Sequence, residues 1–382
     1  RRLESEDELW GLGADERAQL CVLWMAKKHA PAYMEMAKVA DEYDRIAKDK
    51  ANLERTLALS VMRKSAVIGL TSAALAALAP LVSSLAPAVI LVQQAERIPE
   101  PLLLSILGPA TRQLVLVGDS QRPLAAGARP PRRHPPSLFG RLILAGVDRY
   151  NLLQQRRMSP AVARLLSPFY PSMTPPSSGS PRPRGVGPPV FFLTHDRPEA
   201  VEPQTRSRCN PHEASFVAAL VAHLLRIGVE AINVAVLTPY VGQQELIGKE
   251  LRSHRDSGLP SPSDVRVSTV DGFDGSAADY ILLSLVRSNP HGDTGLAGAG
   301  RTVIAALSRA RTGLLIVGSA ATLKAGSRTW AKVLEVMEGG VDGEAAVGEW
   351  LPLTATRAET GRPALARVAA DFVGLEGERR RG

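Results

Sequence analysis

A chain of 382 residues with a formal net charge of +8, 45% hydrophobic and 22% charged residues, is long enough for two ordinary domains plus connecting material and has the apolar share of a globular protein. Its two cysteines, Cys21 and Cys209, form no CxxC pair; this excludes a disulfide scaffold or zinc cluster and fits a reducing, intracellular compartment, nucleus or cytoplasm. The positive balance favours partners that carry phosphate: from Pro101 to Val190 the only acids are Asp119 and Asp148, among arginines that include Arg112, Arg141, Arg156 and Arg157.

Residues 1–64 read as helical. Asp15 can cap a helix carrying Leu20, Leu23 and Trp24, Pro31 is expected to interrupt it, and an amphipathic stretch runs from Tyr33 through Ile46, Leu53 and Leu57. The expectation is a two-helix stalk or an antiparallel coiled pair. From Ala66 to Val92 there is no charged residue, a length that can span a bilayer. Gly69, Thr71, Ser72, Pro80, Ser83, Ser84 and Pro87 divide that run into pieces of strand and helix size, so no membrane span is predicted. Strands are expected at Ala66 to Leu70, Ala88 to Val92 and Gln113 to Val117, within a first domain over residues 65–147.

The stretch "PSMTPPSSGSPRPRGVGPP", residues 171–189, reads as a loop or linker. A second alternating block over residues 148–335 predicts strands at 190–193, 233–237, Val265 to Val270, Tyr280 to Leu285 and Leu314 to Val317, with helices at Glu213 to Ile227, Gly242 to Leu251 and Ile304 to Ala310. Such alternation points to parallel sheets with crossover helices. Towards the tail, residues 336–382, Trp330, Val333, Leu334 and Met337 share one helix face. Arg1 in place of Met points to a fragment whose first α/β domain lacks its beginning.

Three segments carry chemistry together. "LVLVGDSQRP" puts Asp119 just after a buried strand, "LLQQRRMSP" clusters amides with Arg156 and Arg157, and "AALSRARTGLLIVG" puts Arg309 and Arg311 before another strand. Arginines so placed suit the stabilisation of a transferring phosphoryl group. A phosphate-cradling glycine loop is missing: Gly248-Lys249 is followed by Glu250 rather than Ser or Thr and lies within a helical pattern. A dinucleotide-binding enzyme is disfavoured because no Gly-rich turn follows the first strand.

In this order the segments resemble the superfamily 1 helicases, in particular the branch of nonsense-transcript regulators and NFX-type zinc-finger-containing helicases. "VILVQQAERIPEPLL" is similar to the Walker B region, "LVLVGDSQRP" to motif III, and "SLFGRL" with "LLQQRRMSP" to the Gln-x-Arg-Met-x-Pro region. "VAVLTPYVGQ" is similar to motif IV, "VSTVDGFDGSAADYILLSLVRSN" to motif V and "ALSRARTGLLIVG" to motif VI. The resemblance covers roughly Val67 to Leu323. It implies two RecA-like parallel-sheet domains of the P-loop NTPase fold, the first incomplete, that bind ATP and Mg2+ between them and grip single-stranded RNA or DNA. By the same resemblance Arg157 and Arg309 contact the γ-phosphate, and Asp119 couples the ATP site to the strand. Gly118, Gln155, Gly275 and Arg311 lie at the nucleotide; Thr238, Pro239, Tyr240 and Gln243, with Val270, Asp271 and Gly275, belong to segments near nucleic acid or the domain interface; Arg287, also expected at the nucleic acid, belongs with Ser288 and Asn289 to a positioning turn after a buried strand. Protein partners in RNA processing or silencing are a family-level implication.

The departures matter as much. Gln93 and Gln94 replace the Walker B Asp and Glu, with Glu96 out of register; Arg122 takes the motif III Gln position, preceded by Gln121; Asp274 stands for the motif V Gln and Ala277 for the ribose-contacting Glu. An amide cannot take a proton from water near neutral pH, and loss of a general base costs on the order of 10² to 10⁴ in rate. Two functions are therefore expected to compete: the C-terminal part of a helicase with impaired hydrolysis, and a non-catalytic pseudo-helicase that serves as an RNA-binding scaffold.

Overall fold

The computed structural model describes residues 6–120, 137–176, 185–203, 205–253, 264–341, 343, 345–357, 363–373 and 375–376. Gln121 and Arg122 of the motif III segment, and residues 177–184 of the proline-rich loop, lie outside the described residues. The chain forms two compact units, one of residues 1–92 and 100–115, the other of residues 93–99 and 116–382.

The smaller unit opens with α1 (Glu6–Trp10) and α2 (Ala14–Met62). Gly13 starts α2, its N–H donating to Glu16 Oε2 at 3.1 Å. The expected break at Pro31 does not occur: α2 is one helix of 49 residues with Pro31 inside it. A proline there removes one backbone bond and costs about 3 kcal/mol, which the flanking Ala, Met, Lys and Glu residues, all strong helix formers, offset. None of its residues is buried, so the expected coiled pair is not formed among the described residues.

The expected strand at Ala66 to Leu70 is also absent; those residues link α2 to α3 (Ser72–Leu85). Thr71 caps α3 by accepting from the Ala74 N–H at 3.1 Å. The pair β1 (Val89–Gln93) and β2 (Gln113–Val117) forms a two-stranded sheet, with α4 (Glu100–Leu104) between them. No helix among the described residues is long and apolar enough to cross a membrane.

The larger unit holds α5 (Leu138–Leu144), α6 (Pro160–Arg164), β3 (Val190–Thr194) and a short hairpin of β4 (Ala200–Val201) and β5 (Arg208–Cys209). Then come α7 (Pro211–Arg226), β6 (Val234–Thr238), α8 (Val241–Ser253), β7 (Arg266–Thr269), β8 (Ala278–Ser284), α9 (Gly300–Leu307), β9 (Ala310–Gly318), α10 (Ala320–Gly326), α11 (Arg328–Glu338) and β10 (Val347–Gly348). The six-stranded sheet has the order β10-β3-β9-β8-β6-β7, every pairing parallel. Its strands are near-continuous apolar runs because both faces are covered.

Alternate residues serve opposite faces. Phe192, Leu237, Ile281, Leu283 and Ile316 pack with α6, α9 and α11, while Phe191, Val236, Leu282, Leu315 and Val317 pack with α7 and α8. Trp330, Val333, Leu334 and Met337 are fully buried on α11, as their spacing predicts, and Trp330 meets Phe192 edge to face at 6.0 Å. Within the region read as a tail, β11 (Leu351–Arg357), β12 (Pro363–Ala366) and β13 (Leu375–Glu376) form a second, antiparallel sheet. Leu351, Leu353, Ala364, Ala366 and Phe372 join the α7 side of the core.

Candidate functional site

Parallel strands bring Asp274, just before β8, and Arg309, just before β9, to the amino ends of neighbouring strands. Arg309 is buried and its Nη2 bonds Asp274 Oδ1; Arg97 Nη1 bonds Asp274 Oδ2, and Gln94 Nε2 donates to the same oxygen at 2.8 Å. Asp271 extends the cluster through Arg301 Nη2 at 2.8 Å and Arg97 Nη2 at 4.0 Å. Gly275, with φ of +78°, is in a conformation that favours glycine and turns the chain after Asp274, donating to its Oδ1 at 3.1 Å. Arg97, Arg301 and Ser276 were not anticipated; for Arg97 the available signal was its place three residues after Gln94.

Gln93 ends β1 and Gln94 follows it, both exposed, and Gln94 is left-handed at φ 52°. Glu96, by contrast, is buried against the motif III segment: its Oε2 accepts from the Asp119 N–H at 3.2 Å. A Cβ on Gly118 would lie 2.7 Å from that oxygen and 3.0 Å from the Phe139 ring, so a glycine is needed for this approach. Tyr170 OH donates to Asp119 Oδ2. The carboxylate that the sequence places out of register is thus spent on holding the Gly118-Asp119 turn.

Gln155 organises its own loop: Oε1 accepts from the N–H groups of Arg157 at 2.6 Å and Met158 at 2.7 Å, and Nε2 donates to the Met158 carbonyl at 2.7 Å. This loop docks beside the next segment through Ser159 N to the Arg311 carbonyl at 2.7 Å, and Arg157 Nη1 reaches the Ser308 carbonyl at 3.3 Å. Arg157 and Arg309 are therefore brought to adjoining turns. Arg311 points away, exposed, towards Asp279 at 3.4 Å.

The residues expected along nucleic acid gather at the other end of the sheet, after β6 and β8. Thr238 and Gln243 are fully buried. Gln243 Oε1 accepts from the Asn210 N–H at 2.7 Å and its Nε2 donates to the Asn210 carbonyl at 3.1 Å and Ser284 Oγ at 2.9 Å. Tyr240 is buried with its OH accepting from the Leu296 N–H at 3.1 Å, while Pro239 is half-buried.

Arg287 is also buried, its Nε on Glu199 Oε2 at 2.9 Å and Nη2 on Asp293 Oδ2 at 2.7 Å. Burial pulls the guanidinium pKa down, but the hydrogen bonds to Tyr240 and Asp293 and the charge of Glu199 outweigh it, and the net shift is upward. In turn Arg287 holds the Asp293 carboxyl below its ordinary range. These residues shape the loops at this edge rather than present side chains from them.

Beneath them lies a buried network that sequence reading missed. Glu213 on α7 accepts from Ser284 Oγ at 2.6 Å and the Val286 N–H at 2.9 Å, and pairs with His195 Nε2 at 3.1 Å. Val286 sits at φ 70°, a conformation costly for a β-branched residue, and Glu213 together with the Asn210 side chain, which donates to the Val286 carbonyl at 3.3 Å, holds it there. The only sequence signal was an acid among the apolar residues of a helix.

Comparison with known proteins joins these pieces. Residues 135–321 match the family model described as "AAA domain". The chain is 30% identical over 338 residues to "NFX1-type zinc finger-containing protein 1" of Homo sapiens, covering 87% of this chain and 17% of that protein. It belongs to the superfamily 1 helicases. It is also 28% identical to "Helicase required for RNAi-mediated heterochromatin assembly 1" of Schizosaccharomyces pombe, over 84% of this chain and 33% of that one. To "Regulator of nonsense transcripts 1" of Dictyostelium discoideum it is 30% identical, over 71% and 21% respectively. The chain thus spans a third or less of the length of these relatives.

Superfamily 1 helicases use ATP and Mg2+ as a family. In this chain the donors at the end of β1 are the amides of Gln93 and Gln94, the second already directed at Asp274. No group of three or more His, Cys, Asp or Glu among the described residues could hold a metal ion. These residues do not fit a magnesium site. For a nucleotide phosphate the arginines fit in kind, yet Arg97 and Arg309 already bond Asp274.

Proposed function

We propose that this chain is the C-terminal part of an ATP-dependent superfamily 1 RNA/DNA helicase that binds single-stranded nucleic acid and hydrolyses ATP poorly, its two RecA-like domains dividing near residue 148. The observation that carries this reading is the pair of exposed amides Gln93 and Gln94 at the end of β1, with the nearby Glu96 buried on the Asp119 N–H. Neither amide can take a proton from water, and the expected loss is on the order of 10² to 10⁴ in rate. The relatives' names support work on RNA, in nonsense-transcript regulation or RNA silencing. The second reading, a non-catalytic RNA-binding scaffold, is favoured by the contact of Asp274 with Arg309.

Two measurements test this. Single-stranded RNA affinity should fall steeply with salt and depend little on sequence, because backbone charge dominates such binding; salt-independent or absent binding rejects the nucleic-acid reading. ATP turnover, with and without RNA, should rise in Gln93→Asp/Gln94→Glu on a chain extended upstream to include a phosphate-binding loop. Equal turnover in the parent rejects impaired hydrolysis, and no turnover in either favours the scaffold.

A further inference from the structure

We propose that Asp274 is an internal anion that occupies Arg97 and Arg309, and that the terminal phosphate of a nucleotide must displace it before these arginines can grip. The inference rests on the reading of the cluster as the nucleotide-responsive part of a helicase. It goes beyond that reading by naming a residue that opposes phosphate binding.

The geometry points to this role in three ways. Asp274 uses both carboxylate oxygens on arginines, Oδ1 on Arg309 and Oδ2 on Arg97, the charge-assisted arrangement that a phosphate offers to guanidinium groups. Gln94 donates to the same Oδ2 at 2.8 Å and accepts from Arg97 Nη1 at 3.3 Å, so the amide at the Walker B position belongs to the same hydrogen-bonded set. Finally, the crevice formed here is lined by Glu96, Arg97, Asp271, Asp274 and Arg301, with Arg309 behind Asp274. Among the described residues, Arg97, Arg301 and Arg309 meet the carboxylates of Glu96, Asp271 and Asp274, and these six formal charges cancel.

A neutral cluster offers a triphosphate little net attraction, and each arginine taken from Asp274 must exchange one charged bond for another. Neutralising Asp274 tips the charge of the described cluster to positive and removes a carboxylate that Arg97 and Arg309 share. The Gln that the helicase pattern carries at this position has one carbonyl oxygen and no charge, so it would hold the two arginines less firmly than a carboxylate does. Asp274 is a positioning residue in this scheme; the arginines are the groups that touch the ligand.

The test is an equilibrium titration of inorganic triphosphate and of ATP at low ionic strength against this chain and its variants, with thermal melting recorded for each. Asp274→Asn and Asp274→Gln should bind both probes about tenfold tighter than the parent, the factor expected from one freed charge-assisted bond. Asp274→Glu should stay as weak as the parent, and Arg309→Ala on the Asp274→Asn background should abolish the gain. Equal or weaker binding by both neutral variants overturns the proposal. So does a collapse of melting temperature in both, because Asp274 would then be required by the fold and could not be displaced by a ligand. Single-stranded RNA binding, measured alongside, separates the two levels: no gain in triphosphate affinity with RNA binding intact refutes the role of Asp274 alone, whereas loss of RNA binding in the parent refutes the helicase reading beneath it.

Discussion

Glu213→Ala should be among the most damaging substitutions in the larger unit, although Glu213 lies on no motif. Its carboxylate is fully buried and serves three partners: Ser284 Oγ, the Val286 N–H and His195 Nε2. Removing it leaves the Val286 N–H without its acceptor and releases a residue held at φ 70°. Breaking a buried, hydrogen-bonded charged network costs about 3–5 kcal/mol, and for a unit of this size each kcal/mol lowers the melting temperature by roughly 2–4 °C. The expected fall is therefore roughly 6–20 °C by circular dichroism.

Glu213→Gln provides the internal control. Its carbonyl oxygen can still accept from Ser284 and Val286, but its NH2 group then faces His195 Nε2, which must become an acceptor. That moves the ring proton to Nδ1, where His195 now accepts from the Arg197 N–H at 3.1 Å. One bond is lost, about 1–2 kcal/mol. If the Ala variant melts within about 1 kcal/mol of the parent, or no lower than the Gln variant, the argument that Glu213 secures the turn before Arg287 fails.

His223, fully buried, donates through Nε2 to the Gly185 carbonyl at 3.2 Å, and burial holds its pKa below the ordinary histidine value. The unfolded chain therefore takes up a proton more readily than the folded one; stability is whole above about pH 6.5 and falls as pH drops through that value towards the folded pKa. His212, lowered chiefly by burial, acts in the same direction. Urea midpoints at pH 7.5 and 5.5 should converge in His223→Gln, and an unchanged pH slope would count against this origin. In α2, Pro31→Ala should stabilise the local helix by about 3 kcal/mol, read as slower amide exchange from Lys27 to Glu35; unaltered exchange would mean that the helix does not bear the cost of its proline.

Much of the larger unit was legible because its strands announce themselves. "VFFL", "NVAVL" and "YILLSL" are unbroken apolar runs bounded by turns, the signature of strands covered on both faces, and Trp330, Val333, Leu334 and Met337 follow helical spacing. Ala66 to Leu70 has similar composition but no strand beside it, and a strand exists only by pairing. Pro31 was misread because one missing hydrogen bond is weighed against a whole helix, not against its own turn. The C-terminal sheet was passed over although Leu351, Leu353 and Ala355 alternate inward along β11, because Pro352 and the small alanines weaken the apolar contrast of that period. At the candidate site, Arg157, Arg309 and Asp119 were legible from motifs. The partners of Asp274 were not, since Arg97 lies far from it in the chain and only the folded sheet brings them together.

The strand order has a consequence for how the chain matures. β3, Val190–Thr194, lies between β9 and β10, both made after every other strand of its sheet. A nascent chain emerging amino end first can pair β6 with β7 and then with β8 while β3 still waits, its Phe191 and Phe192 without a neighbouring strand. Parallel pairings that must wait for distant residues fold slowly and leave sticky edges open. The Val190–Thr194 segment thus has no strand partner in its sheet until residues 310–318 have been made, and truncation before Ala310 would remove both strands that pair with it.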